Sequence, residues 1–247
     1  MFDSGLGKSL LTVWAHLATD PGASELRTRE AVVTALQVHS ALFATADRPE
    51  GYVLCRIAEE TRSIPATPES FADAGHWLTA FYLAVVCRNA ERLTALCHVP
   101  TSKLRESGAV CDEYLYTWIE ALQAFWLGRP EFADKLVEAA SGTAPGVPSV
   151  TGQDYVSQLM WPPMDLLRRR ATGQRAEFNS ALEQALRAHR AYWSADQERS
   201  DSCFGWVALA PLAMACLAAD AGFPIEIESD YLPLHLLKGT WADEFPT

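Results

Sequence analysis

Several residue groups in this chain have the types that chemistry needs, and in each the spacing withholds it. Gly5-Leu6-Gly7-Lys8-Ser9 ends in the Gly-Lys-Ser of a phosphate-binding loop. Such a loop cradles phosphate in backbone N–H groups, and it needs another glycine five residues before Gly7 and a strand ahead of it. That position is Phe2, preceded only by Met1, so the string reads as the start of a helix. The six histidines, at positions 16, 39, 76, 98, 189 and 235, are scattered, with no HExxH or HxxxH. His76 and His189 fall on aromatic-rich helix faces and read as core or boundary residues rather than ligands. Six cysteines, at 55, 87, 97, 111, 203 and 216, make no CxxC and have no histidine at zinc-ligand spacing. They read as buried free thiols in apolar helical surroundings, kept reduced in a cytoplasm.

Glu59-Glu60 and Asp112-Glu113 are adjacent carboxylates. Neighbours on a helix point apart, so neither pair suits general acid–base work. There is no GxSxG nucleophile elbow. Arg168-Arg169-Arg170 could grip a phosphate but reads better as a solvated helix end. Eight Trp and seven Tyr could line a ligand cleft, although at helical spacing they serve a core. The residues therefore imply no catalytic group, no metal and no cofactor.

The elements that would position these residues are helical. Apolar side chains recur at three- and four-residue steps over 24–46, with Ala31, Ala35, Val38 and Leu42, and Asp47-Arg48-Pro49 ends that run. The pattern predicts a second helix over 50–62, with Val53, Ile57 and Ala58 inward. Thr67-Pro68-Glu69 predicts an N-cap with proline at the first helical position, opening a helix through Trp77, Phe81, Tyr82 and Val85. Further helices are expected over 89–97, in a single turn capped by Thr101-Ser102, in a run capped by Asp112, and over 130–140. Residues 141–149 (SGTAPGVPS) form the clearest loop. Trp161-Pro162-Pro163 is expected to break any helix begun at Gln153, with helix resuming over 164–171. A long helix is expected over 174–193, with Glu183 and Arg187 paired one turn apart. No long Val-Ile run or Asn-Gly hairpin signal occurs.

The C-terminal stretch says most. Residues 203–219 carry no charged side chain and are rich in alanine, which predicts a helix buried on every side. The run is too short to span a membrane. Asp220-Ala221-Gly222-Phe223-Pro224 then stops it, with glycine where a left-handed cap is wanted and proline just beyond. Ile225-Glu226-Ile227-Glu228 alternates apolar and acidic residues, an extended pattern. Tyr231-Leu232-Pro233 leads to a last apolar turn over 234–237.

Charge is uneven along the chain. The net charge is -11, yet residues 151–200 hold seven Arg against six acids, while 201–247 hold only Lys238 against seven acids. An acidic chain is repelled by phosphate and steered toward basic partners, so nucleic acid is not its expected ligand. Glu226, Glu228 and Asp230 alternate with inward Ile225 and Ile227, and should stand together on the surface. They are the candidate partner-binding residues. The plainer alternative is that they keep this edge soluble.

The string Asp220-Ala221-Gly222-Phe223-Pro224-Ile225-Glu226-Ile227-Glu228-Ser229-Asp230-Tyr231-Leu232-Pro233 resembles the C-terminal motif of the immunity protein 49 family. Gly51-Tyr52-Val53-Leu54 with Ala58-Glu59-Glu60-Thr61, Tyr82-Leu83-Ala84-Val85-Val86-Cys87-Arg88, and Ala188-His189-Arg190-Ala191-Tyr192-Trp193 agree with it. The likeness runs from about residue 30 to 238, so residues 1–25 are left without a role. It rests on structural residues rather than a catalytic set. The resemblance implies a protein of bacterial polymorphic toxin systems that binds and blocks a cognate toxin domain in the cytoplasm, with a basic nuclease as one expected class.

The expected molecule is an all-α, compact single domain over 1–247, built of stacked antiparallel helical hairpins, non-enzymatic and without membrane or cofactor. Two other classes stay open on the residues alone. One is a helical-repeat interaction scaffold, and the other an enzyme with its site in an aromatic-lined cleft.

Overall fold

The computed structural model describes residues 2–46, 48, 50–66 and 71–245. Helices α1 (Phe2–Thr19) and α2 (Leu26–Ala46) form the first hairpin. Leu6, Leu10, Val13, Trp14 and Leu17 recur along α1 at helical steps and are all buried. The Gly-Lys-Ser string therefore lies within a helix and makes no loop. Asp20 closes the connection: its carboxylate accepts from the N–H of Ser24 (3.0 Å), the Ser24 hydroxyl (2.8 Å) and the N–H of Glu25 (2.9 Å). Burial opposes its ionisation, but the donors from Glu25, Thr28 and Ser24 outweigh this and lower its pKa from 3.8 to about 2.

The helix expected over 50–62 is instead a β-hairpin. Strand β1 (Tyr52–Ile57) pairs antiparallel with β2 (Glu60–Pro65), with Tyr52 opposite Pro65 and Ile57 opposite Glu60. Val53, Cys55 and Ile57 turn toward α2, while Tyr52 and Leu54 stay exposed. Because the outward positions are also apolar, the two-residue period of a strand is hidden in the sequence. The tip needs no Asn-Gly: Ala58 takes a positive φ of 56°, and its N–H donates to Oε1 of Gln37 on α2 at 2.7 Å. The tertiary bond replaces the local signal.

Helix α3 (Ala74–Val86) begins at an Asp73 cap, whose carboxylate accepts from the N–H of His76. The Thr67-Pro68-Glu69 cap lies outside the described residues, as do Asp47 and Pro49 of the expected stop after α2. Trp77, Ala80, Phe81, Ala84 and Val86 of α3 are wholly buried. Asn89 caps α4 (Ala90–Cys97), and α5 (Thr101–Glu106) adds a short turn. Helices α6 (Glu113–Trp126) and α7 (Phe132–Gly142) form a second hairpin, so close at Gly142 that a Cβ there would lie 2.6 Å from Cβ of Tyr114.

Asp112 precedes α6 but makes no capping bond. Its carboxylate reaches across to the proline-rich loop, accepting from the Ser149 hydroxyl (2.8 Å), the Val150 N–H (2.6 Å) and the Thr151 hydroxyl (2.9 Å). The loop is thus fastened to the fold.

The expected break at Pro162-Pro163 does not occur. Helix α8 (Gln153–Tyr155) runs through a π-helical turn (Val156–Met160) into α9 (Trp161–Ala171). The preceding turn is wider than an α-turn, which relieves the clash of the proline rings with the carbonyls one turn back. Helix α10 (Arg175–Trp193) packs back on α9, with the expected Arg187–Glu183 ion pair at 2.6 Å.

After the short α11 (Gln197–Ser200), the charge-free stretch is not one helix. It is a 3₁₀ turn (Cys203–Gly205), an irregular link, and α12 (Leu209–Asp220). Pro211 then falls in the first turn of α12, where its missing N–H costs nothing. The stretch Cys203–Asp220 has a mean hydropathy of 1.6, enough by length and composition to cross a membrane. Yet α12 has only 12 residues, and α3, α9, α10 and α13 (Leu234–Lys238) cover it. Twelve residues reach about 18 Å, against roughly 30 Å of bilayer core.

The ends of the chain interlock. Arg88 donates to the carbonyls of Leu236 and Leu237, both at 2.6 Å, and pairs with Asp220 at 3.3 Å. His235 N–H reaches the Gly22 carbonyl at 3.0 Å, and Arg29 pairs with Glu244 at 2.6 Å. The buried apolar cluster accordingly runs from Leu6 on α1 to Trp241, with members on both sides of the 141–149 loop. Among the described residues the chain is all-α apart from the one hairpin.

Candidate partner-binding site

The acidic strip is set by how α12 ends. Gly222, at a φ of 76°, donates to the Ala219 carbonyl (2.8 Å), and Phe223 N–H to that of Ala218 (2.9 Å). This pairing ends a helix by turning the chain through a left-handed residue. Phe223 inserts beside Phe178 of α10, with ring centres 5.6 Å apart. Arg175 lies over the Phe223 ring and donates to the Gly222 carbonyl at 2.7 Å.

Asn179 then holds the chain extended. Its Nδ2 donates to the Pro224 carbonyl (2.8 Å) and its Oδ1 accepts from the Glu226 N–H (3.0 Å). One side-chain amide thus substitutes for a neighbouring strand. Under that restraint Ile225 and Ile227 are half-buried, and Glu226, Glu228 and Asp230 are exposed. The strip ends where the Tyr231 carbonyl accepts from the Ala208 N–H at 3.2 Å and the Tyr231 ring meets His189 edge-on at 5.1 Å.

Two grooves flank the strip. The larger, of about 770 Å³, is bounded by Leu17 and Pro21 near the end of α1, by Trp206, and by Glu228 and Asp230. The smaller, of about 320 Å³, lies between Glu226, Glu228 and the α10 face that carries Glu183 and Arg187. Arg190 lines both. It is a cation among carboxylates, which sequence reasoning about the strip overlooked because it lies 36 residues away along the chain, on another element. Asn179 was missed for the same reason. The large groove combines a half-exposed indole, Trp206, with charged walls, the mixture that partner surfaces favour.

The other chemical candidates are taken up structurally. Nδ1 of His76 lies 3.0 Å from Asp73, and Nε2 of His189 lies 2.9 Å from the Gly205 carbonyl. Arg168 and Arg169 bind Asp165 on their own helix, and Arg170 covers the Phe125 ring. Glu59 sits in the turn of the β-hairpin, Glu60 bonds Arg62, and Glu113 bonds Arg105. All six cysteines are free. Helical surroundings were expected for each of them, whereas Cys55 lies on β1, Cys111 in the link before α6 and Cys203 in the 3₁₀ turn. Among the described residues no group of His, Cys, Asp and Glu is arranged to hold a metal.

An aromatic-lined cleft of about 200 Å³ does exist, between α1, the π-helical turn and α10. Among the described residues His189 is its only imidazole and no carboxylate lines it, and burial pushes that imidazole's pKa below 6.5 against the opposing bond to Gly205. A neutral imidazole committed to a backbone carbonyl has no acid–base partner there.

No curated protein and no solved structure matches the chain. The model of the family described as immunity protein 49 matches residues 20–236, a span that holds α2 to α12 and the acidic strip. With most of its length so matched, the chain belongs to the immunity protein 49 family.

Proposed function

We propose that the chain protects a bacterial cell by binding a cognate toxin domain stoichiometrically, in the cytoplasm, and blocking it without catalysis. Membership of the immunity protein family carries this reading. The paired grooves and the strip of Glu226, Glu228 and Asp230 are the proposed landing surface, and a basic toxin of a polymorphic system, such as a nuclease, is the partner they suit. A nuclease groove is positive, so a row of carboxylates can stand where phosphate would lie. In this reading the whole chain folds and binds as one unit.

The test is co-expression with the toxin domain encoded by the neighbouring gene. The expected result is a co-purified complex of fixed stoichiometry and restored growth of cells carrying the toxin. If the toxin kills regardless and the two proteins elute separately, the reading is wrong.

A further inference from the structure

One cationic side chain is withdrawn from water without the partner its charge needs. Arg92, on α4, is half-buried, and burial lowers the pKa of its guanidinium. Arg29, Arg88, Arg169 and Arg199 are also withdrawn, and each pairs with a carboxylate. Among the described residues Arg92 makes a single side-chain bond, from Nη1 to the Ser40 hydroxyl at 2.6 Å. That hydroxyl is neutral and gives its own proton to the Gln37 carbonyl at 3.3 Å. Glu91 acts on the guanidinium only at a distance, and the Cys55 and Cys87 thiols stay protonated because burial raises their pKa. A charge held away from water in this way is costly unless a counter-ion meets it.

The guanidinium stands at the wall of a cavity. Between α2 and α4 lies a space of about 160 Å³, lined by Arg92 and by Ser40, the residue that holds Nη1. Nε and Nη2 of Arg92 make no bond among the described residues and are not sealed from solvent, so their N–H groups are open to a guest. Phe43 and Leu96, 1% and 2% exposed, supply the inner wall, with Val99 beside them. Ala44 on α2 and Ala95 on α4 line the same space and are exposed. Their small side chains leave a mouth between the two helices.

The walls select among anions. Nε and Nη2 form one edge of the guanidinium, and their two parallel N–H groups match the two oxygens of a carboxylate. Among the described residues no second cation lines the cavity. Doubly charged phosphate would leave oxygens against Phe43, Leu96 and Val99 without donors. A carboxylate on a short hydrocarbon body satisfies both halves, with its oxygens on Arg92 and its carbons on the apolar wall. An apolar cavity of about 150 Å³ takes up benzene, so about six non-hydrogen atoms fit here, the size of butyrate.

We infer that the cavity formed by Ser40, Phe43, Arg92 and Leu96 is a binding site for a free short-chain aliphatic carboxylate of about four carbons. The guest supplies the counter-ion that the fold withholds from Arg92, and its hydrocarbon body fills the space between α2 and α4. The inference does not rest on toxin binding.

The probe is sodium butyrate, titrated into the full-length protein at fixed ionic strength while the Arg92 Nε–H and the Ala44 and Ala95 methyl resonances are followed by NMR. Saturable shifts of all three are expected, with a Kd below about 10 mM. Butyramide, the same body without the charge, should bind at least about tenfold more weakly, and so should inorganic phosphate. Ala95→Leu, at an exposed position of α4, closes the mouth and should abolish the shifts while the circular dichroism spectrum is retained. Ala44→Leu serves if that variant does not fold. Arg92→Gln should reduce butyrate binding to the level of butyramide. The tripeptide glycyl-glycyl-valine carries its carboxylate on a chain end, too large for the space, and should be excluded. The proposal is overturned if butyrate gives no saturable shift, if butyramide or phosphate binds equally well, if binding survives in a folded variant with the mouth closed or in Arg92→Gln, or if the tripeptide binds as tightly as butyrate.

Discussion

Single residues hold this molecule at places the sequence does not mark. Arg88 looks like an ordinary polar residue after an apolar helix, yet its guanidinium joins the carbonyls of Val86, Leu236 and Leu237 to Asp220. If it is removed, the Val86 and Leu237 carbonyls lose its bonds and the Leu236 carbonyl keeps only the weak Cys216 thiol donor at 3.8 Å. Arg88→Ala should therefore cost about 3 kcal/mol, measured by urea unfolding. Arg88→Lys, with a point charge in place of the planar fork, should recover only part. Asp20 gives a pH signature. Its pKa falls from 3.8 to about 2 on folding, so its contribution is fully present above 3.8 and is lost as pH falls through about 2. Asp20→Ala should cost about 2 kcal/mol at neutral pH, and the gap from the unaltered protein should close progressively below pH 3.8. An unvarying gap down to pH 2 would show that the carboxylate's charge does not stabilise the turn. The alternation of Glu226, Glu228 and Asp230 was readable because a two-residue period survives without a partner strand. Asn179 and Arg190, which shape that strip from α10, were not, because pairing across elements leaves no local pattern.

At the scale of elements, legibility followed period and length. The long helices α2 and α10, with one apolar face, stand where their spacing puts them to within two residues. The β-hairpin escaped because Tyr52 and Leu54 are apolar on its outer face and Gln37 supplies the restraint at its tip. The helix through Pro162 and Pro163 escaped because a π-helical turn is a backbone solution that side-chain pattern does not encode. For α12 the composition identified a buried helix but not its first residue, since the link before it is equally apolar. Its all-round burial makes a sharp prediction. Ala213 and Ala215 are both 0% exposed, so no face of the mid-helix is spare. Ala213→Asp and Ala215→Asp should each cost more than about 4 kcal/mol, through overpacking and an unpaired buried charge. Purification of either as a folded protein with an unchanged melting temperature would contradict the central place of α12.

Over the whole molecule, the continuous cluster from Leu6 to Trp241 and the lock between the chain ends argue for a single cooperative unfolding transition. Tryptophan fluorescence and far-ultraviolet circular dichroism should give coincident urea curves, and two separated midpoints would divide the chain near the 141–149 loop.

The net charge of -11 acts at the same scale. A field of that sign draws a basic partner from any side, but the strip and its grooves concentrate it beside Arg190, whose charge opposes it. Replacing Glu226→Gln, Glu228→Gln and Asp230→Asn together removes three charges from one edge and leaves the half-buried Ile225 and Ile227 in place. If this edge steers the toxin, association should slow several-fold at low ionic strength and lose part of its salt dependence, because screening then has less attraction to remove. Arg190→Ala should act in the opposite direction, raising the association rate at low salt, provided that Arg190 is not itself a contact. The two variants bracket the site, since a general loss of stability would weaken both. Association rates unchanged in both variants at low and high salt would move the interface away from this edge, to the helical faces.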